Sequence, residues 1–162
     1  MSRSANQKIN MQKEDLKLII TEFLPGAAFD EAGEWLNVNV EAGELHGLAL
    51  KLRNDERTLF DYCFCLTCVD WKTHLTMVYH FDSTKFRHQI VLKVKLDAAK
   101  PQVETVSDIW RTADFHEREV YEMFGVDFIN HPDLRLLILP DGWEGKNPLR
   151  KNFEDPINMI KL

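Results

Sequence analysis

Three apolar runs in the middle of the chain, joined by short connections, restrict the possible folds more than any other feature. The first run covers residues 58–69, the second alternates from Leu75 to Phe81, and the third alternates from Ile90 to Leu96. Alternation with a period of two is typical of a strand with one buried face. Because short connections join antiparallel neighbours, these runs predict an antiparallel sheet, with 58–69 as a buried central strand.

Helical periodicity occurs in three other segments. They run from Leu16 to Phe23, from Leu45 to Leu52, and from about Ser107 to Phe124, where Gly125 is placed to end the helix. A short alternating strand, Leu36 to Val40, lies between the first two. The order α-β-α-β-β-β-α predicts an α+β fold, with a mainly antiparallel sheet of about four strands and helices on one face.

The pattern divides the chain into three parts. Residues 1–11 are polar and are predicted to be a flexible N-terminus, and 12–125 form the α+β domain. Residues 126–162 hold four of the six prolines, yet they are too apolar for a free linker. We predict an extended C-terminal arm that lies on a surface, either its own domain or, preferably, a partner. The expected docking residues are His131, Pro132, Leu134, Arg135, Trp143, Pro148, Leu149, Arg150 and Lys151.

Charge and hydropathy narrow the class of protein. The formal net charge of −6 argues against a protein that coats duplex nucleic acid, which needs a basic stripe. No run approaches the roughly 20 apolar residues that span a bilayer. Residues 1–10 lack the apolar core of a signal peptide. These features predict a cytoplasmic protein that binds no nucleic acid and has no membrane span.

The three cysteines are clustered as Cys63-x-Cys65-x-x-Cys68. Thiolates at such spacing can hold zinc or an iron–sulfur cluster, but no fourth ligand lies nearby in the sequence. In a regular strand, Cys63 and Cys65 face one side and Cys68 faces the other. The apolar neighbours favour buried strand packing over metal binding.

Other catalytic patterns are missing from the sequence. There is no HExxH zinc motif, no glycine-rich phosphate loop and no Gly-x-Ser-x-Gly. His116 and Glu117 could be considered as an acid–base pair, but adjacent helical residues point about 100° apart. We therefore predict no catalytic, cofactor-binding or metal-binding residues in this chain.

Glu117 is unusual because it lies in the middle of the apolar stripe of the last helix. A buried carboxylate is either protonated or paired. It could be a tuned acid, but we favour a structural ion pair with a downstream arginine, such as Arg135 or Arg150. The neighbouring Arg118 has Asp114 and Glu122 four residues to either side, which suggests a solvated helix pair.

The same helix carries a family resemblance. Residues 116–126 read His-Glu-Arg-Glu-Val-Tyr-Glu-Met-Phe-Gly-Val, and the motif continues with Phe128, with 131–135 and with Pro-Leu-Arg-Lys at 148–151. This resembles the signature of the 30 kDa subunit family, which is the C subunit of NADH:quinone oxidoreductase (respiratory complex I). Mild departures are Glu122, Asn130 and Leu136. The signature residues are Glu117, Arg118, Glu119, Tyr121, Phe124 and Gly125.

The resemblance implies a non-catalytic subunit of the peripheral arm of a proton-pumping complex. Such a subunit binds no cofactor itself, whereas NADH, FMN, iron–sulfur clusters and quinone belong to the rest of the complex. It docks to the D subunit and to neighbouring peripheral-arm subunits near the quinone end, on the cytoplasmic face of the inner membrane. Related hosts are membrane-bound hydrogenases and ferredoxin-linked or deazaflavin-linked complexes. The rivals from other classes are an independent enzyme using Glu117 and His116, and a small metalloprotein using the three cysteines.

Overall fold

The computed structural model describes residues 13–30 and 33–155. The predicted flexible N-terminus, 1–11, and the last part of the predicted arm, 156–162, lie outside the described residues. Three helices are present in the described part: α1 (Lys13–Phe23), α2 (Leu45–Asn54) and α3 (Ala113–Phe124). None of these helices is long and apolar enough to cross a membrane.

The main sheet has five strands. They are β1 (Ala28–Asp30), β2 (Leu36–Val40), β3 (Tyr62–Asp70), β4 (His74–Asp82) and β5 (Gln89–Asp97), arranged in the order β1-β2-β5-β4-β3. All neighbours are antiparallel except β2 and β5, which are parallel. The parallel pair has a long connection through α2, β3 and β4, whereas short turns join the antiparallel strands, as their geometry requires.

The position of β3 corrects the prediction that 58–69 forms the central strand. β3 is an edge strand, and β5 occupies the centre because it pairs with β2 on one side and β4 on the other. β3 is apolar because α3 packs against it and buries one of its faces. A buried edge and a buried centre give the same apolar run, so the sequence pattern could not separate them.

One core lies between the sheet and the three helices. The inward residues of β2, β4 and β5 join buried residues of α1, α2 and α3 in a single cluster. Polar residues such as Thr76, Lys93 and Lys95 alternate with them on the other face of the sheet. The α+β fold class is therefore confirmed, with one strand more in the main sheet than was predicted.

A second, two-stranded sheet corrects the predicted boundary of the arm. Strand β6 (Gln102–Glu104) pairs in parallel with β7 (Asp127–Ile129). Val126 and Phe128 are buried in the core, so this stretch belongs to the domain rather than to an extended arm from 126. The segment that we call the arm begins after Ile129.

The last helix begins later than its periodicity predicts. Turns occupy 107–109 and 111–112, and the helix starts at Ala113. Trp110 lies between these turns, stacks on Phe81 with ring centroids 4.3 Å apart, and donates its indole N–H to the carbonyl of Phe60 at 2.9 Å. Its helical spacing reflects a core position held by a turn, so spacing alone misplaced the helix start.

The Trp110 contact generates a stability prediction. We expect Trp110→Phe to lower the free energy of unfolding by about 2–4 kcal/mol, because it leaves the buried Phe60 carbonyl without a donor and creates a small cavity. The matched control is Trp71→Phe, since Trp71 is 54% exposed and its change should cost within about 0.5 kcal/mol. Denaturant unfolding of both variants is the measurement. Equal effects would contradict this role of Trp110.

Candidate functional site

The signature residues lie on different sides of α3. Glu117, Arg118 and Glu122 are all buried, Glu119 is exposed, and Tyr121 and Phe124 pack partly buried against the core. A helix with three buried charged side chains must supply each one with partners. Those partners define the candidate site.

Position 125, at the end of α3, favours glycine for two reasons. It adopts φ 74°, the left-handed conformation that favours glycine, and its N–H donates to the carbonyl of Tyr121 at 2.9 Å. A Cβ at this position would also lie 2.7 Å from the side-chain nitrogen of Asn147 in the arm. The signature glycine therefore both terminates α3 and admits the arm beside it.

The carboxylate of Glu117 is held by the turn that precedes α3. It accepts hydrogen bonds from the backbone N–H of Val106, at 2.8 Å, and from the hydroxyl of Thr105. The hydroxyls of Thr105 and Ser107 are themselves hydrogen-bonded at 2.7 Å. Glu117 is completely buried, so these donors replace the water that an exposed carboxylate would have.

Burial raises the pKa of Glu117 to about 7. Desolvation is the largest cause, and the negative charges of Asp114 and Asp108 raise the pKa further. The hydrogen bonds from Thr105 and Val106 oppose this shift but do not cancel it. Glu117 therefore changes protonation near neutral pH, unlike an ordinary glutamate.

The histidine that faces Glu117 is His131 of the arm, not His116. The side chain of His131 is fully buried, and its Nε2 lies 3.6 Å from Glu117 and 3.7 Å from Asp114. Its Nδ1 accepts the backbone N–H of Asp133 at 3.1 Å. Because Nδ1 is an acceptor, the proton of the neutral ring is on Nε2 and points toward the two carboxylates.

The predicted ion pair between Glu117 and a downstream arginine is wrong. Arg135 pairs with Asp133 at 2.9 Å, and Arg150 lies 3.6 Å from Asp70. Within the described residues, the polar donors of 105–106, which no side-chain pattern in the sequence indicates, satisfy Glu117 without a cation. The partner of a buried carboxylate could not be chosen from the sequence, since a backbone N–H serves as well as a guanidinium.

Arg118 is not the solvated helix pair that its neighbours Asp114 and Glu122 suggested. It is buried under the arm, and its guanidinium donates to the backbone carbonyls of Arg135, at 3.2 Å, and Leu136, at 2.9 Å. The face of α3 that looked solvated in the sequence is therefore covered by the arm.

Glu122 completes this attachment one turn further along α3. Its carboxylate accepts the backbone N–H groups of three consecutive arm residues, Leu137 at 2.8 Å, Ile138 at 3.0 Å and Leu139 at 3.1 Å. Together Arg118 and Glu122 bind both the carbonyls and the amides of residues 135–139. The arm thus lies on its own domain through its backbone.

A second attachment holds the later part of the arm. Asp70, at the end of β3, accepts the backbone N–H of Lys151 at 2.9 Å, and this bond is the main cause of its lowered pKa. Arg150 donates to the carbonyls of Phe124, at 3.2 Å, and Ala98, at 2.7 Å. Arg150 therefore caps the end of α3 and ties the arm to the end of β5.

The predicted docking residues are distributed unevenly along the arm. The ring of His131 is buried, Leu134 packs partly buried against the core, and the ring of Trp143 faces Phe153 at 6.4 Å. The others are divided between exposed positions (Pro132, Arg135, Leu149 and Lys151) and intermediate ones (Pro148 and Arg150).

A polar cleft of about 760 Å³ lies between the end of α3 and the arm, beside Trp143 and Phe153. Its two basic side chains already have protein contacts, since Arg150 caps α3 and the ammonium of Lys146 lies 4.3 Å from the centre of the Trp143 ring. The cleft is formed where the arm attaches to the end of α3.

The cysteines are placed differently from the prediction for a regular strand. A β-bulge between Cys63 and Cys65 changes the phase of β3, so Cys63 and Cys68 are both buried on the core face while Cys65 pairs with His80 on the other face. Burial raises the pKa of Cys63 and of Cys68 to about 12, which disfavours the thiolate. Across 13–30 and 33–155, no three His, Cys, Asp or Glu side chains are arranged to hold a metal ion.

The raised pKa of Glu117 predicts a pH-dependent stability. The folded state binds this proton more tightly than the unfolded state, in which the usual value is 4.5. Ionisation therefore lowers the free energy of unfolding as the pH rises from about 4.5 to about 7, by about 3 kcal/mol in total, and the effect is constant above that range.

Glu117→Gln should remove this dependence, because a neutral amide can accept from Val106 and donate to Thr105. The measurement is the difference in free energy of unfolding between variant and wild type at about pH 5 and about pH 8. The control is Glu119→Gln on the exposed side of α3. A loss of about 3–5 kcal/mol at the higher pH would instead indicate that Glu117 is paired with a cation.

Comparison with known proteins agrees with the signature. A family model described as the respiratory-chain NADH dehydrogenase, 30 Kd subunit, matches residues 38–156. The NADH-quinone oxidoreductase C subunit of Chloroherpeton thalassium is 42% identical over 118 residues, which cover 72% of this chain and 48% of that protein. The C subunit of Acidothermus cellulolyticus is 41% identical and is covered over 63% of its length. The C/D subunit of Phocaeicola vulgatus is 40% identical over 24% of its length.

Two solved structures share the fold. A chain of the membrane-bound sulfane sulfur reductase, an archaeal respiratory membrane complex, has a TM-score of 0.75 and 28% identity, covering 87% of this chain and 85% of that one. A trypsin-resistant fragment of Nqo5 has a TM-score of 0.62 and 24% identity, covering 74% and 98%. The chain spans about half the length of the C. thalassium relative. On the match over 38–156 and these identities, the chain belongs to the family of the 30 kDa subunit of respiratory-chain NADH dehydrogenase.

Proposed function

We propose that this chain is a non-catalytic subunit of the peripheral arm of an NADH:quinone oxidoreductase, located on the cytoplasmic face of the membrane. The names of its relatives support this role, and the fused C/D relative supports the D subunit as the partner. NADH, FMN, iron–sulfur clusters and quinone would be bound by other subunits. The role of the chain would be to dock to the complex near the quinone end.

The single observation that carries a docking role is the way the arm presents its side chains. Residues 135–139 are bound to α3 through their backbone, and two of their apolar side chains, Leu137 and Ile138, remain exposed. Ile138 is 62% exposed and Leu137 is 38% exposed. Phe115 of α3 is 58% exposed, and its ring centre lies 5.6 Å from the guanidinium of Arg118. We call Leu137, Ile138 and Phe115 the outer ridge.

The outer ridge reconciles the two alternatives for the arm. Self-packing uses the polar backbone, whereas partner docking would use the apolar side chains, and neither excludes the other. Consecutive exposed apolar residues such as Leu137 and Ile138 fit the surface of a protein–protein interface. Anchoring by Arg118 and Glu122 would also reduce the entropy lost when the ridge binds a partner.

A second host is supported by one observation, the similarity to a chain of the sulfane sulfur reductase complex. Purification of the tagged chain from its own cells under mild detergent distinguishes the hosts. Co-purification with NADH-oxidising activity and a D subunit supports the oxidoreductase. Co-purification with redox subunits that lack NADH oxidation supports a related complex, and a lone monomer contradicts both.

The outer ridge predicts an assembly defect from a single charge. Ile138→Asp should weaken binding to the complex by about 2 kcal/mol or more, roughly thirtyfold in affinity, because it places a carboxylate in an apolar contact. The matched control is Leu18→Asp, since Leu18 on α1 is 72% exposed and lies outside the arm. Co-purification yield and circular dichroism of both variants are the measurements. Normal assembly of the Ile138 variant would show that the ridge is not the interface.

Removal of the arm provides a second test. A chain truncated after Asn130 keeps β7 and the core, and it exposes Arg118 and Glu122 to water rather than leaving them buried and unpaired. We therefore expect a cooperative, folded domain of lower melting temperature that no longer joins the complex. Circular dichroism and co-purification are measured together. Assembly without the arm would disprove docking through it, and outright unfolding would show that the arm is part of the core.

A further inference from the structure

Three titratable side chains meet where the arm leaves the domain. Glu117 and Asp114 are on α3, and His131 is the second residue of the arm. Among the described residues, Nε2 of His131 and one oxygen of Asp114 are buried without a hydrogen-bond partner, although they lie 3.7 Å apart. Buried unpaired polar atoms are costly and call for a physical explanation.

The chemistry of His131 favours a proton rather than a metal ion as the occupant of this cluster. A metal on Nε2 would require the ring proton on Nδ1, but Nδ1 already accepts the N–H of Asp133. Nε2 therefore carries the proton and faces Glu117 at 3.6 Å, a distance longer than a good hydrogen bond. The ring of His131 therefore covers Glu117 from water, but it gives the carboxylate no good hydrogen bond in place of that water.

The other titratable groups that face Glu117 from neighbouring elements either add negative charge or remain neutral. Asp108, in the turn after β6, adds negative charge and is paired with His46 of α2 at 2.9 Å. From the sheet, Cys63 of β3 and Tyr79 of β4 face the carboxylate, and burial raises the pKa of each. Both therefore remain neutral near pH 7 and supply no cation.

We propose that seating of the arm on α3 is coupled to the binding of one proton by Glu117, whose carboxylate is covered by His131 of the arm, so that the arm is held more tightly at lower pH. This inference concerns regulation of the proposed docking arm and rests on that function for its purpose. The coupling itself is a property of the isolated chain, so it can be measured without a partner.

The direction follows from linkage. With the arm seated, Glu117 has a pKa of about 7, and withdrawal of His131 lets water reach the carboxylate and lowers the pKa toward its usual 4.5. The seated state thus binds a proton that the open state releases. Seating weakens as the pH rises toward 7 and changes little above it.

Hydrogen exchange of the full chain measures the seating. The amides of Leu137, Ile138 and Leu139 are bonded to Glu122, so their protection reports an attached arm. After correction for intrinsic exchange, we expect their protection to be about tenfold lower at about pH 8 than at about pH 6. Amides at the centre of β5, such as Leu92, serve as the internal reference for opening of the whole domain.

Three variants make the test specific to this cluster. Glu117→Gln should abolish the pH dependence of arm protection, and Asp114→Asn should move its midpoint to lower pH, because one negative charge that raises the pKa of Glu117 is removed. Glu119→Gln, on the exposed side of the same helix, should behave as wild type. A merely structural role of Asp114 would alter protection without moving the midpoint.

Several outcomes would overturn the proposal. These are arm protection that is constant across the pH range in wild type, an unchanged pH dependence in Glu117→Gln, or amides at 137–139 that are unprotected at every pH. A pH-dependent arm in a chain whose Ile138→Asp variant still assembles would leave the coupling intact and reject only the docking function. The two hypotheses therefore fail separately.

Discussion

The binding of three consecutive backbone amides by the carboxylate of Glu122 determines how the last described part of this protein is organised. Residues 130–155 form no helix or strand, and amides such as those of Trp143 and Phe153 bond within turns of the arm itself. The amides of 137–139 bond outside the arm. Glu122 supplies one acceptor group for residues 137–139, and Arg118 supplies donors for the two carbonyls before them. The polar backbone of 135–139 is therefore bonded to α3, and the side chains of Leu137 and Ile138 stay exposed.

This arrangement explains why two charged residues of α3, Arg118 and Glu122, are buried outside the apolar core. Arg118 and Glu122 are not members of the core. They are buried because the arm lies over them. The backbone of the arm bonds to their side chains, as the backbone of a strand would bond to a neighbouring strand. Each then bonds to backbone groups rather than to an opposite charge, which avoids the strict geometry that a buried ion pair demands. The same reasoning applies to Glu117, whose donors are a hydroxyl and a backbone N–H.

Much of the fold could be predicted from periodicity, and the errors have identifiable causes. The alternation from Leu75 to Phe81 and from Ile90 to Leu96 matched β4 and β5, because a period of two fits a half-buried strand and does not fit a helix. The 58–69 run was placed at the centre of the sheet because burial by a helix resembles burial by neighbouring strands. The bulge after Cys63 inverted the facing of Cys65 and Cys68, and nothing in the local residues marks it.

The sequence by itself determined the fold class, the family signature on α3 and the presence of a buried carboxylate at Glu117, since each depends on spacing along one element. Only the tertiary structure decided which groups satisfy that carboxylate, and that His131 of the arm faces it. It also showed that the arm both packs on its own domain and exposes Ile138. These outcomes depend on residues far apart in sequence that meet through backbone atoms, and backbone hydrogen-bonding groups are the same at nearly every position of a chain, so no pattern of side chains specifies which of them will be used.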